Sequence, residues 1–408
     1  MSSKLQSCIT FYRSVLLVLG NTVLLLVLLE MLLRIGFSVH DRREHRRQLG
    51  AVVDGRSQAD VYGGADWVDD YWREFNRRGM RWESYVYWRR QAFTGAYINV
   101  SSNGIRQTWN QTIVGEDVPS VLMFGGSTMW GSGARDDFTI PSFVSRQLSD
   151  RGVRVHVTNF GESGYVSSQE VILLMTLLRQ GWRPQVVVFY DGANDTFSAY
   201  QQGVAGLPQN EANRREEFNV LKDLDRLAPK VISTRLNRLA LCRFGNWVRW
   251  RVNAGVPQGT KSGSRYASPA HPEASGQLAG QVADIYLSNI RIVKSLGEVY
   301  GFQTLFYLQP TLFTKKVQTV YEKGRESRAG RNYPQMKPFF VSVYSAVQTN
   351  SIKVTSYHDL SDLFASRADP AYIDWCHLGE EGNRVVAEQM TGDIMNVLER
   401  NADAPSKR

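Results

Sequence analysis

The chain has 408 residues, 43% of them hydrophobic, with 48 Lys and Arg against 39 Asp and Glu for a net charge of +9. That apolar content can bury a full core, which excludes disorder of the chain as a whole, and the length allows one large domain with accessories or two medium ones. The cationic surplus suits anionic surfaces such as lipid headgroups or acidic polysaccharide; without a basic-aromatic module or helix-turn-helix signature, no nucleic-acid partner is expected.

From Phe11 to Leu33 the chain is rich in Val and Leu, interrupted by Asn21, Thr22 and Glu30. A run of about 20 apolar residues can cross a bilayer as one helix. No small-x-small cleavage site follows it, so residues 1–40 read as an N-terminal transmembrane anchor rather than a cleaved signal peptide. Arg34, Arg42, Arg43, Arg46 and Arg47 after the span outnumber Lys4 and Arg13 before it, which by the positive-inside rule would keep the bulk of the chain cytoplasmic.

Residues 41–117 form a polar linker and then an aromatic-rich pre-domain, with alternation near 95–100 that predicts a strand ending in a turn at Asn103-Gly104. Its many Trp and Tyr residues have two readings. They line a sugar-binding surface, or they fix the pre-domain onto the main core; the second is favoured because aromatics dominate packing.

From Ser120 short apolar runs alternate with helix-length segments: 121–124, 153–160, 185–190, 302–308 and 352–357. Continuous rather than alternating hydrophobicity in the middle runs implies strands covered on both faces. Helical spacing recurs between them, as in Val282, Tyr286, Val293 and Leu296, or Val386, Met390, Ile394 and Val397. Residues 118–400 therefore predict an α/β fold, a three-layer α/β/α sandwich around a parallel five-stranded sheet, with an insertion at about 198–278 and a polar tail at 401–408. Within the insertion, 214–252 reads as two helices separated at Pro229, the second carrying Trp247 and Trp250 among several arginines. Such a helix can lie on a membrane surface, but a lid over its own domain is the favoured reading. Residues 255–277, rich in Gly, Ser and Pro, read as a mobile loop.

The stretch "VLMFGGSTMWGSG" places Ser127 after an apolar strand and a glycine pair. A phosphate cradle fails here: the P-loop pattern needs a lysine where Ser132 stands, and Gly125, Gly131 and Gly133 do not fit the dinucleotide spacing. The carboxyl edge of a parallel strand is, however, where open α/β sheets put their sites. Gly161 in "NFGESG" and Asn194 in "DGAND" fall at the corresponding ends of the next two strands, and "DWCH" offers Asp374 and His377 three residues apart, where one turn can bring both side chains to the same side. Cys8, Cys242 and Cys376 are too few and scattered for a disulfide framework or zinc site, Cys376 reads as packing, and no H-E-x-x-H spacing appears. No metal and no cofactor are expected.

This order of blocks resembles the SGNH hydrolases, also called the GDSL esterase/lipase superfamily, over roughly residues 118–395 outside the insertion. The resemblance implies the flavodoxin-like fold of that family, with Ser127 as nucleophile, His377 as base and Asp374 as its orienting acid. It implies an oxyanion hole made by Ser127, Gly161 and Asn194. Gly126 stands where the family's first block usually has Asp, a departure similar to the Gly-Gly-Ser-Thr form of membrane-anchored bacterial members and some polysaccharide-modifying relatives. The expectation is a serine esterase acting on O-acyl esters, such as acetyl esters, of a glycan or cell-envelope polymer, with a small ester, or a lipid or lysophospholipid ester if the Trp- and Arg-bearing helix lies at the bilayer, as further substrates. An O-acyltransferase using the same triad and a catalytically idle glycan-binding or scaffold subunit, with partners in envelope assembly, are the alternatives. The resemblance also implies a catalytic domain outside the cytoplasm, against the arginine count.

Overall fold

A computed structural model of the chain describes residues 3–50, 54–109, 115, 118–220, 239–253, 272–351 and 354–403. Two compact units are formed, one by Met1–Val52 with Asn213–Ser264 and the other by Val53–Ala212 with Arg265–Arg408.

The first unit is built on α1 (Ser3–Gly50), a single helix whose stretch Ile9–Asp41 is long and apolar enough to cross a membrane and is unburied in the fold. The second unit begins with the pre-domain: α2 (Val68–Arg77), the hairpin of β1 (Met80–Glu83) and β2 (Tyr87–Arg90), and the two-residue strands β3 (Phe93–Thr94) and β4 (Asn99–Val100). The turn after β4 has Gly104 at φ +77, the left-handed region that glycine enters without strain. Tyr62, Tyr71, Trp72, Ile98 and Val100 pack with Trp130 and Ile373 of the main body. A fully buried tryptophan such as Trp72 or Trp130 removes enough apolar area to contribute on the order of 4–6 kcal/mol. Most of the pre-domain's aromatics are thus anchors.

The main body follows as β5 (Ser120–Gly125), α3 (Ser127–Trp130), α4 (Ile140–Asp150), β6 (His156–Asn159), α5 (Ser167–Arg179), β7 (Val186–Asp191) and α6 (Ala193–Gln202). The inserted segment supplies α7 (Glu211–Val220) and α8 (Ala240–Asn253). The chain then continues through α9 (Pro272–Tyr300), β8 (Gln303–Leu308), α10 (Val320–Asn332), α11 (Met336–Ser351), β9 (Tyr357–Asp359) and α12 (Glu380–Asp403). The strands form one parallel sheet in the order β6-β5-β7-β8-β9, the flavodoxin-like order. Side chains alternate across it. Leu122, Phe124, Val187, Phe189, Phe306 and Leu308 meet α5, α6, α9 and α11, whereas Val121, Met123, Val186, Val188, Leu305 and Tyr307 meet α4 and α12. Both faces are covered, which is why these runs lack the polar alternation of a half-exposed strand.

Two expectations shift. The fifth strand is Tyr357–Asp359 rather than 352–357, because Ser356, at φ +66, closes a turn and pairing with β8 begins only after it. The arginine- and tryptophan-bearing helix, expected as a lid, is α8, and it packs on α1 within the first unit: Glu30 accepts the N–H groups of Ala240 and Leu241, each at 2.9 Å, and Arg243 pairs with Asp41. The break at Pro229 and most of the 255–277 loop lie outside the described residues.

Candidate active site

In a 2-1-3-4-5 sheet the crevice opens at the carboxyl ends of the first and third strands, where the winding direction reverses. Here those ends are Gly125 of β5 and Asp191 of β7. The chain leaves β5 through Gly125 and Gly126 into the one-turn α3, with Ser127 as its first residue. Neither glycine is required by its φ at this turn; space requires them. A Cβ at Gly125 would stand 2.7 Å from the Met129 Cβ and 2.8 Å from the Tyr190 carbonyl oxygen, and one at Gly126 would stand 2.1 Å from Asn194 Nδ2.

Ser127 Oγ lies 2.7 Å from His377 Nε2, and His377 Nδ1 lies 2.7 Å from Asp374 Oδ2 and 2.9 Å from Oδ1. Asp374 Oδ1 also accepts the backbone N–H groups of Cys376 at 3.0 Å and His377 at 2.9 Å. Asp374 and His377 meet on a loop rather than a helical turn. The loop is closed by the Ile373 N–H donating to the His377 carbonyl at 2.8 Å and by a bridge between Tyr372 and Leu378, just before α12. Burial pushes the Asp374 carboxyl up, but the imidazole partner and the two backbone N–H donors outweigh it and hold the group well below the usual carboxylate range. A carboxylate fixed in this way locks the ring orientation and selects the tautomer whose Nε2 faces Ser127.

Asn194, at the start of α6, lays its amide nitrogen against the Cα of Gly126, while its Oδ1 accepts from Gln209 Nε2 at 3.4 Å. Among the described residues no acceptor takes the Ser127 N–H. Gly161 presses on α3 so closely that a Cβ there would stand 2.3 Å from the Trp130 nitrogen, yet its own N–H donates to Asn159 Oδ1 at 2.9 Å. The structure thus gathers Ser127, His377, Asp374 and the Asn194 amide, and leaves the Gly161 N–H turned to a neighbouring side chain.

Asp374, Cys376 and His377 are the one group of three potential metal ligands within 4.8 Å of one another among the described residues. The 2.7 Å Asp374–His377 contact is a hydrogen-bond length, shorter than the separation of about 3.4 Å between ligand atoms that a tetrahedral ion with bonds of about 2.0–2.2 Å sets. Burial, reinforced by Asp374, pushes the Cys376 thiol up, so it packs as a neutral group. His358 stacks on Tyr307 and pairs with Asp393 at 3.3 Å, a local role on β9.

Sequence reasoning passed over the groups that brace the turn carrying Ser127. Arg106, fully buried, donates to the carbonyls of Trp130 at 3.0 Å, Gly131 at 2.7 Å and Ala134 at 2.6 Å and pairs with Asp136 at 2.9 Å. Tyr71 Oη accepts the Gly133 N–H at 2.7 Å, and Tyr62 Oη donates to the Gly133 carbonyl at 3.0 Å. Their signal, an arginine and tyrosines in an aromatic stretch, is too common to point to a site.

Neither a family model nor a curated protein matches the chain. Solved structures similar to it include a carbohydrate acetylesterase family member from Sinorhizobium meliloti, at 17% identity over 69% of this chain and 100% of that one, TM-score 0.35. An acetyl xylan esterase is similar at 14% identity over 67% of this chain and 99% of its own, TM-score 0.36. A member of the lipolytic protein G-D-S-L family from Veillonella parvula is similar at 8% identity over 68% and 99%, TM-score 0.37.

Proposed function

We propose that the chain is a serine esterase of the SGNH type, acting on O-acyl esters such as acetyl esters of a glycan or cell-envelope polymer. The observation that carries the reading is the unbroken contact from Ser127 Oγ through the His377 ring to the Asp374 carboxylate. A serine hydroxyl is a weak nucleophile until a base in hydrogen-bond reach takes its proton, and a histidine held by a carboxylate is such a base. Ser127 Oγ attacks the ester carbonyl carbon as its proton passes to His377 Nε2. The resulting oxyanion is met by the Ser127 N–H and the Asn194 amide, and by the Gly161 N–H once it leaves Asn159. Collapse breaks the carbonyl carbon–alkoxy oxygen bond, and the proton on His377 goes to the departing alcohol. Water, deprotonated by His377, then cleaves the acyl-enzyme to release the acid and return the proton to Ser127.

The apolar stretch of α1 would anchor the chain in a membrane, with the catalytic unit on the extracytoplasmic side; a reporter fused at the C-terminus tests that side. The chemical reading is tested by turnover of p-nitrophenyl acetate by the chain and by its Ser127→Ala and His377→Ala variants. Activity that falls to background in both supports it. Activity retained in Ser127→Ala refutes it.

A further inference from the structure

Most rings of the pre-domain are buried or half-buried, but Trp82 and Tyr85 on the β1–β2 hairpin are 67% and 68% exposed. Trp82 stacks on Tyr87 with ring centroids 5.4 Å apart and planes 28° from parallel. The connection between the strands is strained: Tyr85 and Tyr87 hold φ values of +69° and +73°. Bulky residues enter that region at a cost of order 1–3 kcal/mol each and stay only where the surroundings impose it. Val86 imposes it here. It lies between the two tyrosines, is buried in the main core, and its carbonyl accepts from Gln169 Nε2 at 2.7 Å and from the Trp88 N–H at 3.0 Å. With Val86 pinned inward, Tyr85 is held outward.

The hairpin is fixed beside the candidate site. Its register sets Trp82 opposite Trp88 and Glu83 opposite Tyr87. Trp88 Nε1 donates to the Ser163 carbonyl at 2.9 Å, the Trp88 carbonyl accepts from Tyr165 Oη, and the Arg90 N–H donates to Glu162 Oε2 at 2.9 Å. Residues 162–165 directly follow Gly161, and Gly161 presses on α3 next to Ser127.

We propose that Trp82, Tyr85 and Tyr87 form a subsite for a sugar ring of a polymeric glycan. The C–H face of a pyranose packs on a flat π face, while its hydroxyls need polar neighbours; Ser84 and the Arg81–Glu83 pair, 3.4 Å apart, adjoin the rings in sequence. An acyl chain calls for a contiguous aliphatic patch instead, and a bilayer, whose interface also takes Trp and Tyr, is the competing outcome of the vesicle measurement below. The inference deepens the esterase reading, on which it rests for its relation to Ser127, by naming the residues that hold a sugar ring of the polymer.

Binding is measured on the full chain carrying Ser127→Ala, so that no ester turns over, using retention on immobilised O-acetylated xylan, glucomannan and pectin. The expected result is retention on at least one polymer, lost with Trp82→Ala, kept with Trp82→Phe and kept with Met80→Ala on the same hairpin, all with unchanged thermal unfolding. Retention on none of the three, equal retention by Trp82→Ala, or quenching of emission by brominated-lipid vesicles that Trp82→Phe removes overturns the subsite. If Trp82-dependent retention is found while the chain with Ser127 intact fails to turn over p-nitrophenyl acetate, the esterase reading falls and the subsite stands.

Discussion

Replacing Arg106 with methionine keeps most of the side-chain volume and removes every donor. The guanidinium neutralises Asp136, which is buried and keeps only the Asn99 amide at 2.9 Å as a side-chain partner, and it satisfies the carbonyls of Trp130, Gly131 and Ala134. Removing one partner of a buried ion pair costs about 3–5 kcal/mol, because the other charge stays behind uncompensated. For a folded unit of this size each kcal/mol lowers the melting temperature by about 2–4 °C, so Arg106→Met should lower it by roughly 6–20 °C. Burial already pushes the Asp136 carboxyl up, and Arg106 pulls it back. Without Arg106 the folded-state value rises further. A raised carboxyl contributes stability that is present below its unfolded value of about 3.9 and lost as pH climbs through the folded value. The penalty of Arg106→Met should therefore be larger at pH 8 than at pH 5, and Arg106→Met with Asp136→Asn should be more stable than Arg106→Met alone. Thermal unfolding followed by circular dichroism at the two pH values checks this. A loss below about 1 kcal/mol, or a double variant no better than the single one, refutes the account of a charge held by its partner.

Gly126→Asp, which creates the commoner Gly-Asp-Ser block, puts a Cβ where Asn194 Nδ2 now sits; if the amide is displaced as an oxyanion donor, kcat for p-nitrophenyl acetate should fall about 10²–10³-fold with KM little changed. Asp374→Asn keeps the shape of the side chain but favours the wrong ring tautomer, and steady-state kinetics should show a loss in kcat of roughly 10⁴. Glu170 and Asp191 are buried side by side, and burial first, then a neighbouring carboxylate (Asp191 for Glu170, Asp195 for Asp191), pushes both carboxyls well up, although the hydrogen bond with Glu170 pulls Asp191 partly back. Their stabilising contribution is present below the unfolded value of about 4 and fades as pH rises, so the melting temperature should decline from pH 5 to pH 8 and Glu170→Gln should flatten that slope; equal slopes in both proteins would sink the assignment.

The buried strands are legible in the sequence because coverage on both faces leaves continuous apolar runs, as at 121–124, 185–190 and 302–308. The edge strand Tyr357–Asp359 is not, since three residues, one of them His358 stacked on Tyr307, carry no such run. Ser127, Asp374 and His377 are legible because each sits in a short block whose spacing is local. The orientation of the Gly161 N–H is not, because it depends on where the Asn159 side chain points. Trp82 is indistinguishable in sequence from Trp72, yet one is 67% exposed and the other 1%. That difference arises from how α2 and the hairpin dock, which no local pattern encodes.

The bracing of α3 explains why the pre-domain belongs to the same compact unit as the sheet. A short helix ending in the interior must satisfy its last carbonyls. Those of Met129, Trp130 and Gly131 take their donors from Asn159 on β6, from Arg106 and from Tyr71, the last two supplied by residues 54–109. With that end held, and Asn194 closing on Gly126 from β7's side, the Ser127 N–H is left without an acceptor among the described residues. A chain starting at residue 118 would lose Arg106, Tyr62 and Tyr71 together, and Trp130 would lose the guanidinium stacked 4.1 Å from its ring. The composition boundary near residue 118 therefore separates two styles of sequence but cuts through one structural support, and the aromatic segment that looks like an appendage is what holds the Ser127 turn in place.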